Sequence, residues 1–263
     1  MNSPVNLSLH DDVAKLVLNR PDKHNAFDDE VIGCLLDALN EVSNSKSRVL
    51  VLQSTGKSFS AGADLSWMKR MATLSHDENL QDARQLANLM QTLDSLPIPT
   101  IAKVQGAAFG GAIGLISCCD IAIASDEAKF CLSEVKLGLS PATISPFVIK
   151  AMGARRCRQL FLTAEVFSAQ QAAEWELVHT LVSSNELDSA VERTVAQILK
   201  TGPRASIATK QLIADVLSQP TDIAEHTAQL IARLRVSEEG QSGLAAFFDK
   251  QLPPWVDTPS KSQ

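Results

Sequence analysis

The stretch Gly110–Asp120, GGAIGLISCCD, decides how this chain is read. Two glycines open it, an apolar run follows, and apart from two thiols nothing ionisable occurs before Asp120. It reads as a buried helix that begins on residues disfavouring helix. The first amides of any helix lack partners within it, and such an end favours negative charge. Bare backbone at Gly110 and Gly111 would let a ligand reach N–H groups directly.

The flanks of this stretch are strands. Thr100–Val104 precedes it and Asp120–Ala124 follows it, so the unit is strand, helix, strand. Farther out, Val13–Leu18 alternates as a strand, and Val49–Gln53 is a β-branched run of the kind buried in parallel sheets. Asp28–Ser43 places Val31, Ile32, Leu35, Leu36, Leu39 and Val42 on one helical face, behind an acidic first turn. Asp77–Ser95 is a second amphipathic helix, ended by Pro97 and Pro99. Lys129–Cys131 is a short strand. From Ser145 onward the pattern is almost wholly helical: Ser168 and Gln171 form a capping box, and Glu186–Lys200, Pro203–Val216 and Asp222–Ser237 are further helices. The expectation is α/β layers followed by a helical C-terminal section.

Composition narrows the function. The 263 residues carry a net charge of −6, which disfavours a nucleic-acid or anionic-membrane surface. Met1–Asp12 lacks the basic and apolar regions of a secretory leader, and no apolar run is long enough to span a bilayer. Cys34, Cys118, Cys119, Cys131 and Cys157 have no regular spacing, which points to reduced thiols in a cytoplasmic setting. The five histidines lie far apart, and no metal is expected. The TGKS at Thr55–Ser58 is not a phosphate loop, because Val51 stands where its first glycine belongs. The dinucleotide fingerprint fails at Phe109, and no G-x-S-x-G elbow occurs.

Two backbone devices remain. FSAGADL, Phe59–Leu65, follows one strand, and QGAAFGGAIG, Gln105–Gly114, follows the next. Each offers small residues where a strand ends, and together they can supply two N–H donors to a developing oxyanion. Either alone reads better as a tight turn or close packing point; two at the ends of successive strands shift the balance toward the backbone-donor reading. FCLSEVKLGLSPA, Phe130–Ala142, then places Glu134 in an apolar segment. Glu134 is either a general acid–base with a raised pKa or a surface acid paired with Lys136. Trp67 is either an acyl-pocket wall or core, and Asp120 reads as a structural residue that fixes the turn between helix and strand.

At these residues the chain resembles the crotonase (enoyl-CoA hydratase/isomerase) superfamily, over nearly its whole length. NRPDKHNAF at Asn19–Phe27 is similar to the family's CoA-contacting loop. FSAGADL and VQGAAFGGAIGLISCCDIAIAS resemble its two oxyanion segments, FCLSEVKLGLSP its catalytic loop, and LTAEVFSAQQAAEWELV at Leu162–Val178 its following helix pair. The resemblance implies an α/β fold, a crotonase-like spiral of ββα turns with a helical C-terminal region. The spiral core would span 1–200 with the CoA and oxyanion sites. Residues 201–263 would serve oligomerisation and active-site closure, in a homotrimer or a dimer of trimers.

The resemblance also implies an acyl-CoA thioester substrate, with coenzyme A entering as part of it and no separate cofactor. The amides of Ala63 and Gly111 would hold the thioester oxygen. Lys23, Asn25, Ala26, Ala61, Asp64 and Leu65 fall on segments that line CoA, mainly through backbone, and Lys250 matches a position that meets CoA phosphate from an adjacent subunit. Hydratases of the family commonly carry two catalytic glutamates. Glu134 matches the second, whereas the catalytic position of the first is Gly114 here.

Three readings follow from that departure: a hydratase working through Glu134 alone, a double-bond isomerase, and a non-catalytic acyl-CoA-binding or RNA-binding homologue. SAGADLSWMKRM, Ser60–Met71, resembles the branch that hydrates 3-methylglutaconyl-CoA and related glutaconyl-CoA esters in leucine, isovalerate and terpenoid breakdown. The bacterial form of that branch also lacks the first glutamate. Its substrate's distal carboxylate wants a cation, for which Lys69, Arg70 and Lys136 are the candidates.

Overall fold

A computed structural model describes residues 3–218 and 221–256. A six-stranded sheet has the order β1 (Val5–His10), β2 (Val13–Leu18), β3 (Val49–Ser54), β4 (Thr100–Val104), β6 (Ile121–Ser125), β9 (Thr180–Val182). Only β1 runs antiparallel, against β2. A second sheet contains β5 (Ala107–Phe109), β7 (Lys129–Cys131) and β8 (Phe167–Ser168).

Side-chain alternation explains the layers. On β3, Leu50 and Leu52 enter the main core, which also takes Leu35 and Leu39 from α1 (Asp29–Ser43), and Leu89 and Leu93 from α3 (His76–Asp94). Val49 and Val51 point the other way, onto Leu187, Ala190 and Val191 of α7 (Leu187–Leu199). A strand buried on both faces reads as a continuous apolar run, which is why β3 was conspicuous in the sequence.

The chain climbs as a spiral of ββα turns. β2, β3, β4 and β6 each lead into a short stretch of the second layer and then a helical turn or helix. β4 turns at Gly106 into β5 and then α4 (Gly111–Cys118), and β6 leads to β7 and a 3-10 turn, Glu134–Leu137. The corner at Gly106 has φ 59, and a Cβ there would lie 1.8 Å from the Lys57 carbonyl oxygen. The preceding turns enter the same layer through the bridges Ser60–Ala108 and Phe27–Ala63, before α2 (Leu65–Met71) and α1 respectively.

Three features correct the reading of the sequence. β1 was not expected, and α2 was not distinguished from its glycine-rich neighbourhood. The segment after Ser145 is not wholly helical: after α5 (Ser145–Thr163), β8 pairs with β7, and after α6 (Ala169–Glu174), β9 completes the large sheet beside β6. Strands of two and three residues are too short to show a period of two. The C-terminal helices are α8 (Pro203–Leu217), α9 (Ile223–Val236) and α10 (Glu238–Phe248), none of which contains a buried residue. Glu239 accepts from the amides of Arg204 and Ala205 at the start of α8, and Lys210 pairs with Asp120 at 2.7 Å. No helix among the described residues is long and apolar enough to cross a membrane.

Candidate active site

The segment after β3 is held by backbone hydrogen bonds on both sides. Phe59 N–H donates to Gln105 O, Ser60 N–H to Ala107 O, Ala61 N–H to His24 O, and Asp64 N–H to Phe27 O, all within 2.7–3.0 Å. Gly62 N–H donates to Ser60 Oγ at 3.2 Å. Ala63 N–H alone in this run has no hydrogen-bond partner among the described residues. The other segment behaves alike. Gly110 N–H donates to Cys131 O at 2.9 Å, whereas Gly111 N–H, the first amide of α4, has no partner among the described residues.

The two segments meet one residue before each free amide. A Cβ on Gly62 would lie 2.9 Å from Phe109 O and 3.9 Å from Gly110 N. Gly110 has φ 53 and ψ −121, outside the regions open to other residues. The Phe27 ring backs Gly111, with Cδ2 and Cε2 both 3.2 Å from where its Cβ would stand. Phe27 ends the Asn19–Phe27 loop, and the bridge to Ala63 places it behind the second amide.

Glu134 opens the 3-10 turn after β7. Its Oε1 is 3.2 Å from the position a Cβ on Gly110 would take. Its Oε2 is buried and has no hydrogen-bond partner among the described residues. Burial pushes the carboxyl above its usual pKa, and the residue's own backbone N–H offsets this only in part. No ion pair joins it to Lys136 among the described residues. Two unbonded amides beside a half-desolvated carboxylate can stabilise an oxyanion and move a proton.

Gly114 lies in the buried part of α4. A Cβ there would be 2.4 Å from Ile144 Cγ2, 2.9 Å from Ile144 Cβ and 3.1 Å from Met90 Sδ. The position is therefore a packing contact. Neither Ile144 nor Met90 stands out in the sequence; the available signal is a glycine inside an otherwise apolar helix.

The other residues expected at the site fall into two groups. Asn25, with φ 54, is buried and structural: Oδ1 accepts from Arg20 N–H, and Nδ2 donates to Thr55 O and Ser58 O. Ala26 is buried, and its carbonyl accepts from Arg20. The Asp64 carboxylate caps α2, accepting from Ser66 and Trp67 N–H at 2.8 and 3.2 Å. Burial opposes its charge, but the Trp67 and Ser66 amides with Lys23 and Arg20 more than offset that and hold its pKa below the usual value. Ala61, Leu65 and Lys23 are exposed around this frame, with Lys23 Nζ 3.5 Å from Asp64. Lys250 is exposed just past α10, with φ 55, and forms no ion pair with the other CoA-segment residues among those described.

Trp67 is buried in the main core, and its indole N–H donates to Asp82. All three cation candidates are exposed, and of them Arg70 is paired with Asp29 at 2.5 Å. Asp120 is structural, accepting from Thr100 N–H, Thr100 Oγ1 and Lys210 Nζ. All five cysteines are free thiols.

The family model described as enoyl-CoA hydratase/isomerase matches residues 9–258. The crystal structure of an enoyl-CoA hydratase from Shewanella pealeana is 47% identical, covers 96% of each chain and superposes with a TM-score of 0.92. The enoyl-CoA hydratase ACTT6 of Alternaria alternata is 32% identical over 240 residues, 89% of this chain and 77% of that one. A trans-2-decenoyl-[acyl-carrier-protein] isomerase of Streptococcus mutans is 26% identical over 252 residues, 93% of this chain and 94% of the other.

Proposed function

The chain belongs to the enoyl-CoA hydratase/isomerase family, and from that premise we propose that it adds water across the double bond of a 2-enoyl-CoA, with 3-methylglutaconyl-CoA or a related glutaconyl-CoA as substrate. The observation that carries this reading is the meeting of Glu134 with the segment that bears the unbonded amide of Gly111. The thioester oxygen lies between the Ala63 and Gly111 amides. Negative charge collects on it as water attacks C3, and each donor contributes on the order of 3 kcal/mol in comparable sites. The Glu134 carboxylate takes the proton from the attacking water and returns it to C2, so hydroxide ends on C3, the proton on C2, and the glutamate is regenerated. Such acid–base help is worth about 10²–10⁴-fold.

In this reading Lys23, Asn25, Ala26, Ala61, Asp64 and Leu65 form the CoA surface, chiefly through backbone, and no cofactor is needed beyond the CoA of the substrate. Lys69 or Lys136 meets the distal carboxylate, since Arg70 is already engaged by Asp29. A homotrimer, or a dimer of trimers, covers α8–α10. Support comes from the exposure of Val236, Phe247 and Phe248, each above 70%, on helices with no buried residue. In such an assembly α8–α10 close the site and Lys250 reaches a neighbour's CoA; the remainder of the 201–263 region, 219–220 and 257–263, lies outside the described residues. The free thiols suit a cytoplasmic location.

The test is the absorbance of the conjugated thioester with three esters. Loss with 3-methylglutaconyl-CoA, far faster than with crotonyl-CoA, is the expected result. Gain from a 3-enoyl-CoA without hydration would replace this reading by a double-bond isomerase. The glycine at position 114, which leaves one carboxylate, and the isomerase among the relatives favour that second reading.

A further inference from the structure

Gly110 and Gly114 are four residues apart, Gly110 at the N-cap of α4 with a non-helical backbone and Gly114 inside the helix. The Cβ direction of Gly110 meets Glu134, and that of Gly114 meets Ile144, ten positions later in the same segment. Building on the hydratase reading of this site, we propose that Ile144 sets the number of carboxylates the site can hold. Its side chain takes the space that any side chain at position 114 needs, and Glu134 is left as the one carboxylate beside α4's first turn among the described residues.

The geometry gives little freedom. Ile144 is 2% exposed and immediately precedes α5, and Met90 is fully buried behind Gly114. A β-branched side chain in a packed wall has few alternative rotamers, so Ile144 cannot swing aside. The Met90 thioether is the adaptable neighbour. Ile144 obstructs through two atoms, Cγ2 at 2.4 Å and Cβ at 2.9 Å, so truncation to alanine leaves one of them in place. Position 114 therefore cannot be re-armed by one substitution. Water approaching C3 meets Glu134 on one side and an aliphatic wall on the other.

The experiment is a melting cycle on the full chain, followed by turnover. Gly114→Ala is expected to lower Tm by roughly 5 °C in the natural background, as overpacking does. The same substitution should cost almost nothing with Ile144→Gly, and an intermediate amount with Ile144→Ala. An equal cost in all three backgrounds overturns the packing claim. Gly114→Glu with Ile144→Gly is then compared with Ile144→Gly alone on crotonyl-CoA. A gain in kcat of about tenfold or more, with little change in KM and a new acid limb in the pH profile, is expected.

A double variant that melts above Gly114→Glu alone yet gains no hydration overturns the claim about carboxylate number. So does one that melts no higher than Gly114→Glu. Failure of the natural protein on 3-methylglutaconyl-CoA would refute the substrate reading alone, because neither measurement uses that ester.

Discussion

Glu134 Oε1 stands 3.2 Å from the point where a Cβ on Gly110 would lie, so the carboxylate rests against bare backbone at the mouth of α4. Gly110→Ala puts a methyl group into that contact and a side chain onto a backbone with φ 53. Strain of this kind costs about 1–3 kcal/mol. The expected outcome is a folded protein whose kcat falls at least about tenfold, measured beside its Tm. Unchanged turnover would show that the Gly110–Glu134 contact does not matter to the reaction.

Glu134→Gln should lose about 10²–10⁴-fold in turnover while still binding CoA esters. The pH dependence has a definite sign. Burial raises the Glu134 pKa, so between the ordinary value and the raised one the native state holds a proton that the unfolded chain has released. Its contribution to stability is present below the ordinary glutamate pKa and is lost as pH rises through the raised one. Glu134→Gln should therefore melt no lower than the natural protein at neutral pH, and the acid limb of kcat should lie above the ordinary carboxylate range. Calorimetry and a pH–rate profile check both.

Asp64 has the opposite sign. Its pKa is lowered, so its stabilisation is present above the ordinary aspartate value and is lost as pH falls through the lowered one. Asp64→Ala removes the cap of α2 and should cost about 1 kcal/mol. The loss should shrink in acid. Denaturant melts at two pH values test it, and a loss independent of pH would contradict the assignment.

Phe247→Glu with Phe248→Glu places charge on the most exposed apolar part of α10. The natural chain is expected to sediment as a trimer or hexamer, and the double variant as a monomer with reduced turnover. A natural chain that sediments as a monomer would end the assembly proposal.

Much of the frame was legible from local pattern. α1, α3, β3 and β4 carry apolar periods long enough to betray their buried faces, and their observed bounds differ from the expected ones by a residue at most. Glu134 stood out because a lone acid among apolar residues is conspicuous. β9 was hidden inside an apparently helical region, since three residues cannot display a period. Lys69, Arg70 and Lys136 looked equivalent in sequence, and only the Asp29 partner sets Arg70 apart.

The sequence by itself determined that strands alternate with helices, that two glycine-containing turns follow successive strands, and that position 114 carries no acid. These are properties of short windows, where periodicity and side-chain identity suffice. Tertiary structure alone decided that Gly62 lies against the Phe109–Gly110 peptide, with the Ala63 and Gly111 amides unbonded in neighbouring segments. It alone decided that Ile144 and Met90 fill the space beside Gly114. Contacts between residues tens of positions apart follow from close packing of the whole core, which no local pattern encodes.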